Sequence, residues 1–179
     1  NAIETAARVI ARLKAHAFSY NKHSLLRPPT LNIGTIRGGD KVNMVADFCE
    51  FSADLRFLPG TKAADVLKTL KGLIRQETNT FKVEIDDLQQ PYEISRTHPF
   101  VQSYLAAARR MKIPARVKGS EGATVMTFFQ RHKIPAFATG FGTSGTAHTT
   151  DEYANISTLV KGARLLERFL IDFDQRTAP

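Results

Sequence analysis

The sequence predicts a mixed α and β chain in which strands and amphipathic helices alternate, with a change of texture near residues 91–95. Three observations lead there. Residues 49–57, CEFSADLRF, alternate strictly. Cys49, Phe51, Ala53, Leu55 and Phe57 share one face, and Glu50, Ser52, Asp54 and Arg56 the other, which is the period of a half-buried strand. The opening NAIETAARVIARL and the closing ISTLVKGARLLERFLIDF instead place apolar residues at helical spacing. IPAFATG, residues 134–140, is a short apolar run of the buried-strand type.

The elements follow in order. The first helix turns Ile3, Ala6, Ala7, Ile10 and Leu13 inward, with Asn1 as its N-cap and Glu4 three residues on. A natural chain rarely starts at a helix cap, so further sequence is expected upstream. HSLLRPPT breaks the helix, and LNIGTIRGG reads as a strand ending in a glycine turn. After the alternating strand, LPGT leads into a helix with Val66, Leu67, Leu70 and Ile74 inward and Thr61 as its cap. FKVEIDDLQ, residues 81–89, is a further strand. A third helix starts near Pro99, with proline in its first turn and Phe100, Val101, Tyr104, Leu105 and Ala108 as its apolar set. GSEGATVMTFFQRH reads as a glycine-rich loop feeding a fourth helix. The last helix is expected to turn Leu159, Ala163, Leu166 and Leu170 inward. The sequence reads without an internal repeat or a low-complexity tract.

Composition bounds the function. The 179 residues are 42% hydrophobic and 23% charged, which is ordinary for a soluble globular protein. No apolar run approaches the roughly 20 residues that span a bilayer, and no signal-peptide pattern opens the chain, so no membrane partner is expected. The single cysteine, Cys49, rules out an internal disulfide and fits a reducing, cytoplasmic compartment. The net charge is +8, but Lys and Arg are scattered and never run beyond two. Spread-out charge of this kind reads as a solvated surface.

Four residues could take part in chemistry. His148 lies in GFGTSGTAHTTDEY, a glycine-rich approach to the last helix. Loops after buried strands are where α/β sites are built, and imidazole is a common metal ligand. A lone loop histidine is nonetheless more often a surface residue, and the other four histidines show no ligand spacing. Arg56 on the polar strand face is either solvated, or paired with Asp54, or a fork for a substrate carboxylate. Asn43 serves its own turn or a ligand. Gly122 either relieves backbone strain or presents its N–H to a ligand. Local grounds favour the bland reading of each.

Taken together, these stretches resemble the zinc-dependent metallopeptidase and amidohydrolase family of acetylornithine deacetylase, succinyl-diaminopimelate desuccinylase, aminoacylase and bacterial glutamate carboxypeptidase. NAIETAARVIARL resembles a helix of that family's lid. LNIGTIRGGDKVNMVADFCEFSADLRFLPG is similar to the lid's strand, glycine turn, Asn and D-x-R strand. EGATVMTFFQRHKIPAFATGFG resembles the G-G-T-D loop, helix and I-P strand, and AHTTDEYANISTLVKGARLLERFL the closing ligand motif and last helix. Val125 departs, standing at the loop's acidic position.

The resemblance implies an α+β ferredoxin-like lid and dimerisation domain over residues 1–92, an antiparallel sheet with two helices whose first strand is missing. Residues 93–179 would be the C-terminal part of an α/β zinc-peptidase catalytic domain. It implies His148 as a metal ligand and Asn43, Arg56 and Gly122 as substrate-binding residues. The H-x-D segment, the remaining metal ligands and the catalytic glutamate would lie upstream of Asn1. The complete enzyme would hydrolyse the amide bond of N-acyl amino acids or small peptides bearing a free carboxylate. It would use two zinc ions, replaceable by cobalt, to polarise the carbonyl and activate a bridging water, with the upstream glutamate moving the proton. A homodimer through the lid follows. Two rival readings are a non-catalytic dimerisation module and a basic nucleic-acid-binding domain. The second lacks the aromatic strand signature and clustered charge that RNA recognition needs.

Overall fold

Asn1 caps the first helix: its side-chain oxygen accepts from the Ile3 N–H at 3.1 Å, and its amide donates to Glu4 at 3.1 Å. This computed structural model describes every residue except Glu121, Ala123, Thr124, Ser144, His148, Ala178 and Pro179, and the side chains of Arg176 and Thr177. By contact the chain divides into two units, Asn1–Pro91 with Gly119–Ala123, and Tyr92–Lys118 with Thr124–Pro179.

In the first unit, α1 (Ala2–Ala15) and α2 (Ala63–Arg75) accompany an antiparallel pair, β1 (Thr30–Gly38) and β2 (Cys49–Arg56). α1 meets both strands and α2. Its buried residues are Ala6, Val9 and Leu13, while Ile3 and Ala7 are exposed. The apolar stripe expected around Ile3, Ala7 and Ile10 is therefore rotated towards Val9. Ile3, at the helix start, lies over Gly39. β2 alternates as its sequence requires, apart from an exposed Ala53. A bulge between Ile33 and Thr35 interrupts β1, and beside it the Thr35 and Ser52 hydroxyls bond at 2.7 Å.

LPGT is a turn: Thr61 N–H donates to Leu58 C=O at 3.2 Å and Gly60 has φ +86°, the pattern of a type II turn with proline second and glycine third. The turn carries the chain one residue past Thr61, so the N-cap of α2 is Lys62, which gives no side-chain bond. Thr61 is not the cap. Val66 is buried, with Leu67, Leu70 and Ile74 half-buried. Residues 81–89 do not form a paired strand, because no other segment among the described residues lies in position to share a ladder with them.

Two arginines of α1 reach across to Glu77, just beyond α2. Arg12 Nε donates at 2.7 Å and Arg8 Nε at 3.2 Å, and Arg12 also holds Gln76 at 2.8 Å. The hydrogen bond from Arg12 is the main cause that holds the Glu77 carboxyl below its usual range, against the opposing effect of burial.

In the second unit, α3 (Pro99–Arg110) and α5 (Ile156–Thr177) pack together, with the short α4 (Met126–Arg131) between them in sequence. His98 caps α3 through Nδ1, which accepts from Phe100 N–H at 3.2 Å, and Pro99 sits in the first turn. Tyr104, Ala107 and Ala108 of α3 bury against Leu165 and Phe169 of α5. Phe100 stands 4.9 Å from Phe137 and 5.2 Å from Phe169 between ring centres. Such tilted pairs add about 0.5–1.5 kcal/mol each beyond their burial.

The buried face of α5 is Gly162, Leu165, Phe169 and Asp172, whereas Leu159, Ala163 and Leu170 are exposed. Of the inward set expected for this helix only Leu166 packs against the core, half-buried, because α3 covers the stripe that carries Leu165 and Phe169. Gly162 is needed where it is: a Cβ there would lie 2.1 Å from the Phe141 ring. Residues 134–140 are not a strand either. Tyr92 takes the place of a strand neighbour, its hydroxyl accepting from Ala136 N–H at 2.6 Å and donating to Ala136 C=O.

Both α3 and α4 end on the same four residues, Lys-Ile-Pro-Ala, at 112–115 and 133–136. Lys112 and Lys133 have φ +55° and +57°. The next amides reach back five residues, Ile113 to Ala108 at 2.9 Å and Ile134 to Phe129 at 3.0 Å. These are Schellman closures followed by a proline that cannot continue the helix.

Two expectations follow. A depressed carboxyl pKa contributes stability that is present at neutral pH and lost as pH falls through the lowered value. Glu77→Gln should therefore differ from wild type most at neutral pH, with the gap in urea midpoint closing on acidification; a gap independent of pH would refute this. Lys112→Gly removes a left-handed lysine and should stabilise by about 0.5–1 kcal/mol in the same unfolding measurement, while an unchanged or lower midpoint would show that the lysine bears no strain.

Candidate functional site

The polar face of β2 presents Glu50, Ser52, Asp54 and Arg56, set opposite Arg37, Thr35, Asn32 and Thr30 of β1. Arg56 closes the strand. Its Nε and Nη2 donate to one oxygen of Asp54 at 3.0 and 2.9 Å, and both side chains are 55% exposed. Of the local readings of Arg56, pairing with Asp54 is realised in this structure.

Asn43 lies in the connection between β1 and β2, where the turn bond is Met44 N–H to Lys41 C=O at 3.1 Å. Asn43 is the third residue of that turn, and its side chain is exposed and makes no hydrogen bond among the described residues. Val42, Met44, Val45 and Phe48 around it are exposed as well.

Gly122 belongs with the first unit by contact. Its N–H donates to Ser120 Oγ at 3.3 Å, and an added Cβ would meet only that oxygen, at 3.6 Å. Its φ lies outside the left-handed region, so strain relief does not explain this glycine. The glycine that close packing requires is Gly119, where a Cβ would come within 2.5 Å of Leu25 C=O. No local signal marks Gly119, since the constraint comes from residues about ninety positions earlier.

His148 lies outside the described residues. Around it, Thr149 Oγ1 donates to Thr146 C=O at 2.7 Å, and Thr146 Oγ1 donates to Thr143 C=O at 3.0 Å. Among the described residues no three His, Cys, Asp or Glu side chains gather as a metal site would need. The described donors therefore do not fit a metal ion by themselves. An open groove of about 420 Å³ runs along α1 and α2 past Arg8, Arg12 and Glu77 and includes none of Asn43, Arg56 and Gly122.

Comparison with known proteins bears on this arrangement. Residues 1–81 match the peptidase dimerisation domain. An acetylornithine deacetylase from Edwardsiella ictaluri is 30% identical over 153 residues, which cover 83% of this chain and 38% of that protein. Among solved structures, the aminopeptidase PepT of Bacillus cereus superposes with a TM-score of 0.76 at 22% identity, over 96% of this chain and 45% of that one. An M20 family metallo-carboxypeptidase from Sulfolobus solfataricus gives 0.68 at 20% identity, over 93% and 42%. The chain thus spans less than half the length of each. The first unit contains the matched segment, so this chain carries the peptidase dimerisation domain, and its similarity to acetylornithine deacetylase extends over most of its length.

Proposed function

We propose that this chain is the substrate-gripping and dimerising part of a metal-dependent amidohydrolase that cleaves the amide bond of N-acyl amino acids or small peptides. The observation that supports it most is the similarity to acetylornithine deacetylase over 153 residues, joined to an exposed arginine fork at the end of β2. In this reading Arg56 holds the substrate's free carboxylate, while Asn43 and Gly122 contact the rest of the substrate. An arginine suits the task because its planar fork matches a carboxylate in two-pronged fashion.

Residues 1–92 act as the lid and join two subunits into a homodimer, and residues 93–179 belong to the catalytic domain. The lid is ferredoxin-like, with one further strand between β2 and residues 82–90. That these two segments are not paired directly is in keeping with such an order. His148 supplies one metal ligand, the metal being zinc, and the other ligands come from outside this stretch. The complete enzyme works in the cytoplasm.

Arg56→Lys keeps the charge and loses the fork. In the complete enzyme it should lower kcat/KM for carboxylate-bearing substrates by about 1–3 kcal/mol of transition-state stabilisation, and an unchanged kcat/KM would return Arg56 to a surface role. For the 179-residue chain, calorimetry should find only weak zinc binding, since one imidazole cannot close a four-coordinate site. Tight stoichiometric binding abolished by His148→Ala would show that the chain holds a whole site.

A further inference from the structure

We propose that Asp54 is an intramolecular competitor for the Arg56 guanidinium, occupying the fork that a ligand carboxylate would take and so weakening the hold of Arg56 on any carboxylate that must displace it. This rests on the reading of Arg56 as a carboxylate grip. Asp54 Oδ2 accepts from Nε at 3.0 Å and from Nη2 at 2.9 Å. Those two N–H groups point the same way along one edge of the planar guanidinium, an edge that a carboxylate grips in two-pronged fashion. Asp54 thus presents to Arg56 the same functional group as the substrate would.

Position makes the competition permanent. Asp54 and Arg56 are two residues apart on one face of β2, held by the register that sets Asn32 and Thr30 across from them. A group tethered so close is present at a fixed effective concentration, whatever the medium holds. The hold is still loose. Both side chains are 55% exposed, and an exposed pair of this kind shifts an equilibrium by about fivefold at most. A ligand bound through its carboxylate alone gains little, since it exchanges one carboxylate for another. A ligand anchored elsewhere as well displaces Asp54 at small cost. Asp54 therefore weakens every carboxylate at Arg56 by one common factor, which a ligand anchored elsewhere can still exceed.

The test follows the arginine Nε–H signals of the ¹⁵N-labelled chain by NMR, with acetate as the probe and acetamide as the neutral control. Arg56→Lys, whose spectrum lacks the signal, identifies it. Asp54→Asn is close in shape and exposed, and the backbone amide spectrum checks its fold, with Asp54→Ser as the second variant should that spectrum change. Acetate should shift the Arg56 signal in wild type and in Asp54→Asn, with half-saturation about two- to fivefold lower in the variant, and acetamide should shift neither. Equal or weaker acetate binding in the variant overturns the competition and leaves Arg56 as a carboxylate grip. No Arg56 response in either protein overturns the reading of Arg56, and the competition falls with it.

Discussion

The antiparallel register of β1 and β2 assigns a face to every candidate group in the first strand pair. With Thr30 opposite Arg56 and Gly38 opposite Cys49, Phe51 and Leu55 turn one way, and Asp54 and Arg56 the other. A slip of one residue would exchange the two sets, turning charge inward and aromatic surface to water. The bulge at Gly34 absorbs the one mismatch without propagating it. α1 makes contacts with both strands, so helix packing and strand register enforce each other.

Much of this was legible in the sequence, and what was not has physical reasons. The alternation of residues 49–56 is a local property and holds but for the exposed Ala53, as does the periodicity of the helices. The facing of those helices did not. α1 could present Ile10 or Val9, and only the distance to the strands decides between them. α5 has two apolar stripes, and the choice belongs to α3 and its aromatic rings. Residues 81–89 and 134–140 have the composition of strands, yet a strand is a relation between two segments, and neither finds a partner among the described residues. The cap of α2 was misplaced by one residue because the turn at Pro59–Gly60 fixes where the helix begins. Among the site residues, the Arg56–Asp54 pair is a neighbour effect on one strand and could be read directly. The demand for glycine at position 119 depends on Leu25 and could not.

The second unit buries one carboxylate on the helix that carries its aromatic core. Asp172 is 5% exposed and is met by Arg110 of α3 and by Arg168 one turn earlier on α5, the latter at 3.1 Å. Removing one partner of such a cluster leaves charge without compensation, which is costlier than the cluster's own net contribution. The ion cluster therefore acts less as a source of stability than as a guide to alignment. Its Arg110–Asp172 contact ties α3 to α5 at one point along their length, beside the packing of the phenylalanines.

The repeated Lys-Ile-Pro-Ala closure gives the chain a form of punctuation. Helices of 12 and 6 residues, unlike in composition, halt on the same four letters. Each halt is written within its own last turn, through a left-handed residue and the proline that follows, and draws on nothing downstream. The boundary is thus portable. Sequence spliced in after either proline meets a helix already ended, so length can change there without rewinding what came before.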